Sequence, residues 1–138
     1  MANPLRDVSH FIGGSTVAAS ASGRFSDIFD PSTGRVQARV ALGTQADLDR
    51  AMEIAVKAQA KWAATNPQRR ARVMFNYKQL IERDMESLAE LLSSEHGKVI
   101  ADSKGDIQRG LEVVEFACGV PQLMKGEYTE SAGPGIDL

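Results

Sequence analysis

Near Thr44 the spacing of apolar residues changes, and that change constrains the fold more than any other feature of the 138-residue sequence. Before it, short apolar-rich pieces alternate with polar residues and are separated by turn formers. After it, apolar residues recur at steps of three and four. An alternating period suits strands that bury one face, and a three-to-four step suits helices that bury one stripe. The chain therefore reads as α/β, with an early β-ribbon followed by amphipathic helices.

In the first part, His10-Phe11-Ile12 is a short extended piece closed by Gly13-Gly14, and Phe25 to Phe29 alternates large and polar side chains. Asp30-Pro31-Ser32-Thr33-Gly34 is a turn signal, because proline fixes its own φ and glycine accepts a positive one. Val36 to Leu42 alternates again, so Phe25 to Leu42 is expected to form an antiparallel pair. Thr44 is an N-cap candidate with Asp47 in the first turn, predicting a helix over 45–63. Its stripe is expected to run through Leu48, Ala51, Met52, Ala55, Ala58, Gln59 and Trp62, broken only at Gln59. Asn66-Pro67 starts a second helix reaching about Glu82, with Val73, Tyr77, Leu80 and Ile81 on one side. Arg83-Asp84 marks a surface crossing or a break.

Met85, Leu88, Leu91 and Leu92 renew the spacing, predicting a helix over 84–95 that ends at Gly97. A further helix is expected from Ser103 or Asp106 to Cys118, with Ile107, Leu111, Val114 and Cys118 facing a core. Gly110 weakens it unless another backbone packs closely there. Gly119 and Pro121 are expected to end it, and Tyr128 to Leu138 reads as polar and glycine-rich. The predicted organisation is a β-ribbon over 1–42, a helical region over 43–127, and a strand or linker start over 128–138.

A chain of this length can form one ordinary domain burying roughly two thirds of its extended surface. Hydrophobic residues at 43% and charged residues at 25%, with signs interspersed, fit a folded chain rather than a disordered one. Sixteen Lys and Arg against eighteen Asp and Glu leave a formal charge of −2, which gives no reason to expect nucleic acid or an anionic membrane as a partner. No apolar run is long enough to cross a bilayer, and Met1-Ala2-Asn3-Pro4 opens into polar sequence rather than a leader. One cysteine cannot form an internal disulfide. These features place the expected location inside the cell, in cytoplasm or mitochondrial matrix.

No residue is assigned a catalytic, cofactor-binding or metal-binding role. Cys118 could be a nucleophile if its pKa were lowered, but a thiol late in an apolar helix ordinarily packs. Glu95-His96-Gly97-Lys98 combines an acid, a base and a glycine, yet helix capping explains all of them. His10, His96 and Cys118 are too scattered in sequence to form a local metal cluster. Arg69-Arg70-Ala71-Arg72 reads as a solvated face or a set of intersubunit ion pairs. Neither Gly13-Gly14 nor Gly133-Pro134-Gly135 has the spacing of a phosphate-binding turn.

Phe11-Ile12-Gly13-Gly14, Phe29-Asp30-Pro31-Ser32-Thr33-Gly34 and Glu95-His96-Gly97-Lys98 together resemble the opening part of an aldehyde dehydrogenase. The longer stretches Glu95 to Cys118 and Tyr128 to Leu138 resemble the CoA-acylating, methylmalonate-semialdehyde branch of that superfamily. This resemblance implies a larger parent enzyme that uses NAD and coenzyme A to convert methylmalonate or malonate semialdehyde, small aldehyde substrates, to propionyl-CoA or acetyl-CoA. It implies a catalytic cysteine downstream of Leu138, so Cys118 does not match the family nucleophile. It further implies a homo-oligomer in which the early ribbon, 1–42, is an oligomerisation element, and a nucleotide-binding domain whose parallel sheet is mostly encoded later. On this reading the 138 residues alone bind neither cofactor tightly and do not turn over aldehyde. A fragment of another aldehyde dehydrogenase and an autonomous helical interaction module are the competing readings.

Overall fold

The computed structural model describes residues 5–18 and 23–138; the opening Met1-Ala2-Asn3-Pro4 lies outside them. Five strands precede five helices: β1 Arg6–Val8, β2 His10–Ile12, β3 Ser15–Val17, β4 Phe25–Asp30, β5 Arg35–Ala41, α1 Gln45–Ala63, α2 Pro67–Arg83, α3 Met85–His96, α4 Ile100–Cys118 and α5 Val120–Leu123. The α/β class and the change of period at Thr44 are both present. The arrangement is two small sheets followed by a helical layer.

β4 and β5 pair antiparallel from Phe25↔Ala41 to Asp30↔Arg35, with a register shift between Ile28 and Phe29. Their turn is closed by Asp30, whose carboxylate accepts from the Ser32 N–H at 2.8 Å and the Thr33 hydroxyl at 3.0 Å. Those donors, the Ser32 amide foremost, hold the Asp30 carboxyl below its ordinary range. The sequence pattern did not indicate β1, which adds to β5 in parallel through Arg6↔Ala38 and Val8↔Val40. A three-residue strand has too little length to display alternation. Gly13 and Gly14, at φ 64° and 81°, form the two-residue turn between β2 and β3. Two consecutive positive φ values are what such a hairpin needs.

The helices begin and end where their caps sit. Thr44 and Asp47 form a reciprocal capping box on α1, and Asn66 accepts from the Gln68 N–H at 2.8 Å ahead of Pro67 on α2. Asp84 separates α2 from α3, so the Arg83-Asp84 step is a break. Gly97 closes α3 at φ 85°. α4 starts at Ile100 rather than at Ser103 or Asp106, because Val99 enters extended and its carbonyl accepts from the Ser103 N–H without any capping side chain. Gly119 ends α4 but not helical structure: Pro121 sits in the first turn of α5, where its missing N–H costs nothing.

The helical layer packs around α4. Its predicted seam is observed, with Leu111 buried and Ile107, Val114 and Cys118 half-buried, and Ser103 fully buried one turn earlier. The Ser103 and Ser93 hydroxyls share a hydrogen bond of 2.7 Å, which satisfies the buried polar group between α4 and α3. Gly110 has no heavy atom of another element within 4 Å of where a Cβ would lie, so no backbone uses its missing side chain among the described residues. Ala38, Ala41, Ala71, Ala89 and Leu111 are the buried apolar residues, leaving Leu111 as the sole large one among those described.

Two expected faces are corrected. In α1 the side half-covered by the rest of the chain carries Asp47, Ala51 and Ile54, whereas Leu48, Met52 and Trp62 of the predicted stripe are exposed and no α1 residue is buried. In α2 the seam toward α4 runs through Arg70, Ala71, Met74, Lys78 and Ile81, while Val73, Tyr77 and Leu80 face outward. Both errors have one physical cause. Each helix carries apolar residues on more than one side, and the richer stripe is not the one its neighbours in this chain cover.

Candidate functional site

Two of the motifs that the sequence singled out, Asp30 to Gly34 and Glu95 to Lys98, meet at the junction of the ribbon with α3 and α4, and their contacts there are structural. Gly97 adopts the left-handed conformation, and a Cβ built on it would lie 2.9 Å from Pro31 Cγ and 3.8 Å from Ser32 Oγ. The turn Asp30 to Gly34 and the segment Glu95 to Lys98, far apart in sequence, therefore touch at a point only glycine permits. Glu95 pairs with Arg6 of β1 at 3.2 Å, and Gln37 of β5 donates to the Ser94 carbonyl at 2.9 Å. Lys98 pairs with Asp106 of α4, which also accepts from Arg109 at 2.5 Å. The Lys98 hydrogen bond, followed by the Arg109 charge, holds the Asp106 carboxyl below its ordinary range. Lys98 thus bridges to the next helix, where capping of α3 had been expected.

Cys118 lies on the last turn of α4, its thiol donating to the Val114 carbonyl at 3.4 Å. His96 ends α3 and His10 sits in β2 with its ring against Gly43. The structure does not bring these three together as a nucleophile with its base. Among the described residues no group of three His, Cys, Asp or Glu side chains is placed to hold a metal ion. Arg69 and Arg72 are exposed, but Arg70 departs from the predicted solvated face: it turns into the seam, where its Nη2 meets Met124 Sδ at 3.8 Å.

Phosphate-bearing cofactors need free amides at a helix start. The junction from β5 into α1 does not offer them, because Asp47 already accepts from the Thr44 N–H at 2.8 Å and the Thr44 hydroxyl at 2.7 Å. A carboxylate on that helix start opposes a second anion. Gly133-Pro134-Gly135 is followed by no helix; Gly133 bridges Ile136, and Thr129 and Leu138 exchange backbone hydrogen bonds of 2.6 and 3.0 Å. Asp137 closes that loop on the Ser131 N–H at 2.8 Å, which keeps its carboxyl below the ordinary range. Neither of these two places therefore offers free amides at a helix start.

Residues 17–137 match the aldehyde dehydrogenase family. The chain belongs to that family. Its sequence is 41% identical over 128 residues to malonate-semialdehyde dehydrogenase of Pseudomonas aeruginosa, covering 93% of this chain and 25% of that protein. Its fold matches a protein from Sinorhizobium meliloti, provisionally named a methylmalonate-semialdehyde dehydrogenase and solved with NAD, at TM-score 0.88 and 59% identity over 96% of this chain and 27% of that one. Methylmalonate-semialdehyde dehydrogenase of Oceanimonas doudoroffii matches at TM-score 0.87 and 38% identity, with the same coverage. The chain spans about a quarter of the length of these relatives. The ribbon and the helical layer are thus the amino-terminal part of the aldehyde dehydrogenase fold, as the three sequence motifs implied. No helix among the described residues is long and apolar enough to cross a membrane.

Proposed function

We propose that this chain is the scaffold-bearing part of an NAD-dependent, CoA-acylating semialdehyde dehydrogenase that converts malonate or methylmalonate semialdehyde to acetyl-CoA or propionyl-CoA with loss of carbon dioxide. The observation that carries the reading is the 59% identity to the Sinorhizobium meliloti protein over nearly the whole chain, supported by the Pseudomonas aeruginosa relative. Oxidising an aldehyde to a thioester needs a thiol nucleophile, a hydride acceptor and an acyl acceptor. Cys118, held by a helix carbonyl, is not arranged as that nucleophile. On this reading the chemistry belongs to residues beyond these 138, and the present segment supplies packing surface and a β-ribbon whose β4 edge is available for assembly into a homo-oligomer inside the cell.

The test has two arms. The protein that contains this segment, assayed with malonate semialdehyde, NAD and coenzyme A, is expected to form NADH and acetyl-CoA together; release of the free acid at the same rate with and without coenzyme A overturns the acylating assignment. The 138 residues assayed alone are expected to give no nucleotide-dependent turnover, and turnover would place catalytic groups within them.

A further inference from the structure

The corner where the end of α1 meets α2 and α5 contains a hollow of about 220 Å³, walled by Trp62, Ala71, Met74, Val120 and Met124, with Arg70 as its charged member. Arg70 Nε is buried with no acceptor among the described residues, and Nη2 has only the Met124 thioether at 3.8 Å. A thioether accepts weakly, so the side-on edge of the guanidinium, which pairs two-fold with a carboxylate, is nearly unsatisfied. A buried donor left this way is costly until an acceptor arrives. No acid of the neighbouring sequence competes for it. Between Glu53 and Glu82 the chain carries Lys57, Lys61, Arg69, Arg70, Arg72 and Lys78 and neither Asp nor Glu. Of these, Lys57 pairs with Glu53, and Lys78 with Glu82 and Glu115, leaving Lys61, Arg69, Arg70 and Arg72 without an ion pair among the described residues, and of those four only Arg70 has a buried donor with no acceptor.

We propose that this hollow binds a small carboxylate with an apolar stem, the stem lying against Trp62 and Met74 and the carboxylate replacing Met124 Sδ on Arg70. Met124 caps the four-residue α5 and is 56% exposed, so its unbranched side chain can swing outward and open Nε to the ligand. The charge selects the head group, and the apolar wall selects the stem. This assignment is separate from semialdehyde oxidation and stands on the geometry of this corner.

Trp62 lines the hollow, so the part of the emission that a Trp62→Phe variant loses reports occupancy directly. Titration of the full-length protein that contains this segment with hexanoate is expected to shift that emission saturably, whereas hexanol, with the same stem and no charge, is not expected to saturate over the same range. Arg70→Met should weaken hexanoate binding by about tenfold or more, the loss of one charge-assisted hydrogen-bonded contact, and Arg70→Lys should recover part of it. A linear, non-saturating response, an equal response to hexanol, or unchanged binding by Arg70→Met in a variant with wild-type helical circular dichroism each overturns the assignment. Should Arg70→Met not fold, the comparison of hexanoate with hexanol on the unaltered full-length protein still decides it.

Discussion

α1 and α4 have the same length, 19 residues, and both carry apolar side chains at helical spacing, yet they sit in the molecule very differently. α4 is the post around which α2 and α3 assemble: Ser103 and Leu111 are buried, and Lys98, Glu86 and Ser93 reach it from neighbouring elements. α1 has no buried residue, and its most apolar side faces outward through Leu48, Met52 and Val56. The difference teaches that amphipathic spacing announces a covered face without saying which part of the protein covers it. For α4 the cover lies within these residues. For α1 the richer stripe faces away from them, as suits a chain that spans about a quarter of the length of its relatives.

The largest effect that would sharpen this contrast is Leu111→Ala, which should cost about 2 to 5 kcal/mol by leaving a cavity in the seam of α4. Its check is the urea midpoint, and a loss no greater than that of a surface substitution would remove α4 from the centre of the fold. Gly97→Ala should follow closely at about 2 to 4 kcal/mol, combining a left-handed backbone with an added methyl where Pro31 already stands. Here Pro31→Ala in the same background should restore part of the loss, because it clears the contact and leaves only the backbone strain. Thr44→Ala should cost about 1 kcal/mol of α1 stability. Because no α1 residue is fully buried, that loss is expected as faster amide exchange confined to its first turns, with little movement of the global midpoint; a full shift of the midpoint would show that α1 is coupled to the core. Leu48→Ser and Met52→Ser should change the midpoint by less than about 0.5 kcal/mol, and a larger penalty would break the comparison outright.

Acid offers a further check on the α4 side. The Asp106 carboxyl, held below its ordinary value of 3.8 by Lys98 and then by Arg109, binds its proton less readily folded than unfolded. Its contribution is therefore present above that ordinary value and drains as pH falls through the lowered one. Asp106→Asn should flatten the acid limb of urea midpoints against pH, and an unchanged limb would assign it to other carboxylates such as Asp30 and Asp84, which are lowered too.

Much of the scaffold was legible because local signals wrote it. Thr44 with Asp47, Asn66 with Pro67, and Gly97 act within a turn of chain, so four helices and the β4–β5 pair follow from residues close together. What failed to show was non-local. β1 is too short to alternate and finds its parallel partner in β5 after three intervening strands. The inward face of α2 includes Arg70 and Lys78, which spacing of apolar residues cannot select; Lys78 reaches Glu115 at 3.2 Å across the seam. The start of α4 at Val99 carries no capping side chain for a pattern to find. As for a site, the motifs pointed to a family and not to chemistry, since Glu95 and Gly97 turn out to hold the ribbon to the helices and Lys98 to tie the end of α3 to α4.

The contact between Pro31 and Gly97 binds the fates of two distant motifs. A ring carbon fills the volume that any other residue would need for its first side-chain atom, so neither position can drift alone. A homologue that exchanges the glycine must also retract the proline or reshape its loop, and paired change at these two positions, rather than change at either one, is the evolutionary trace this interlock would leave.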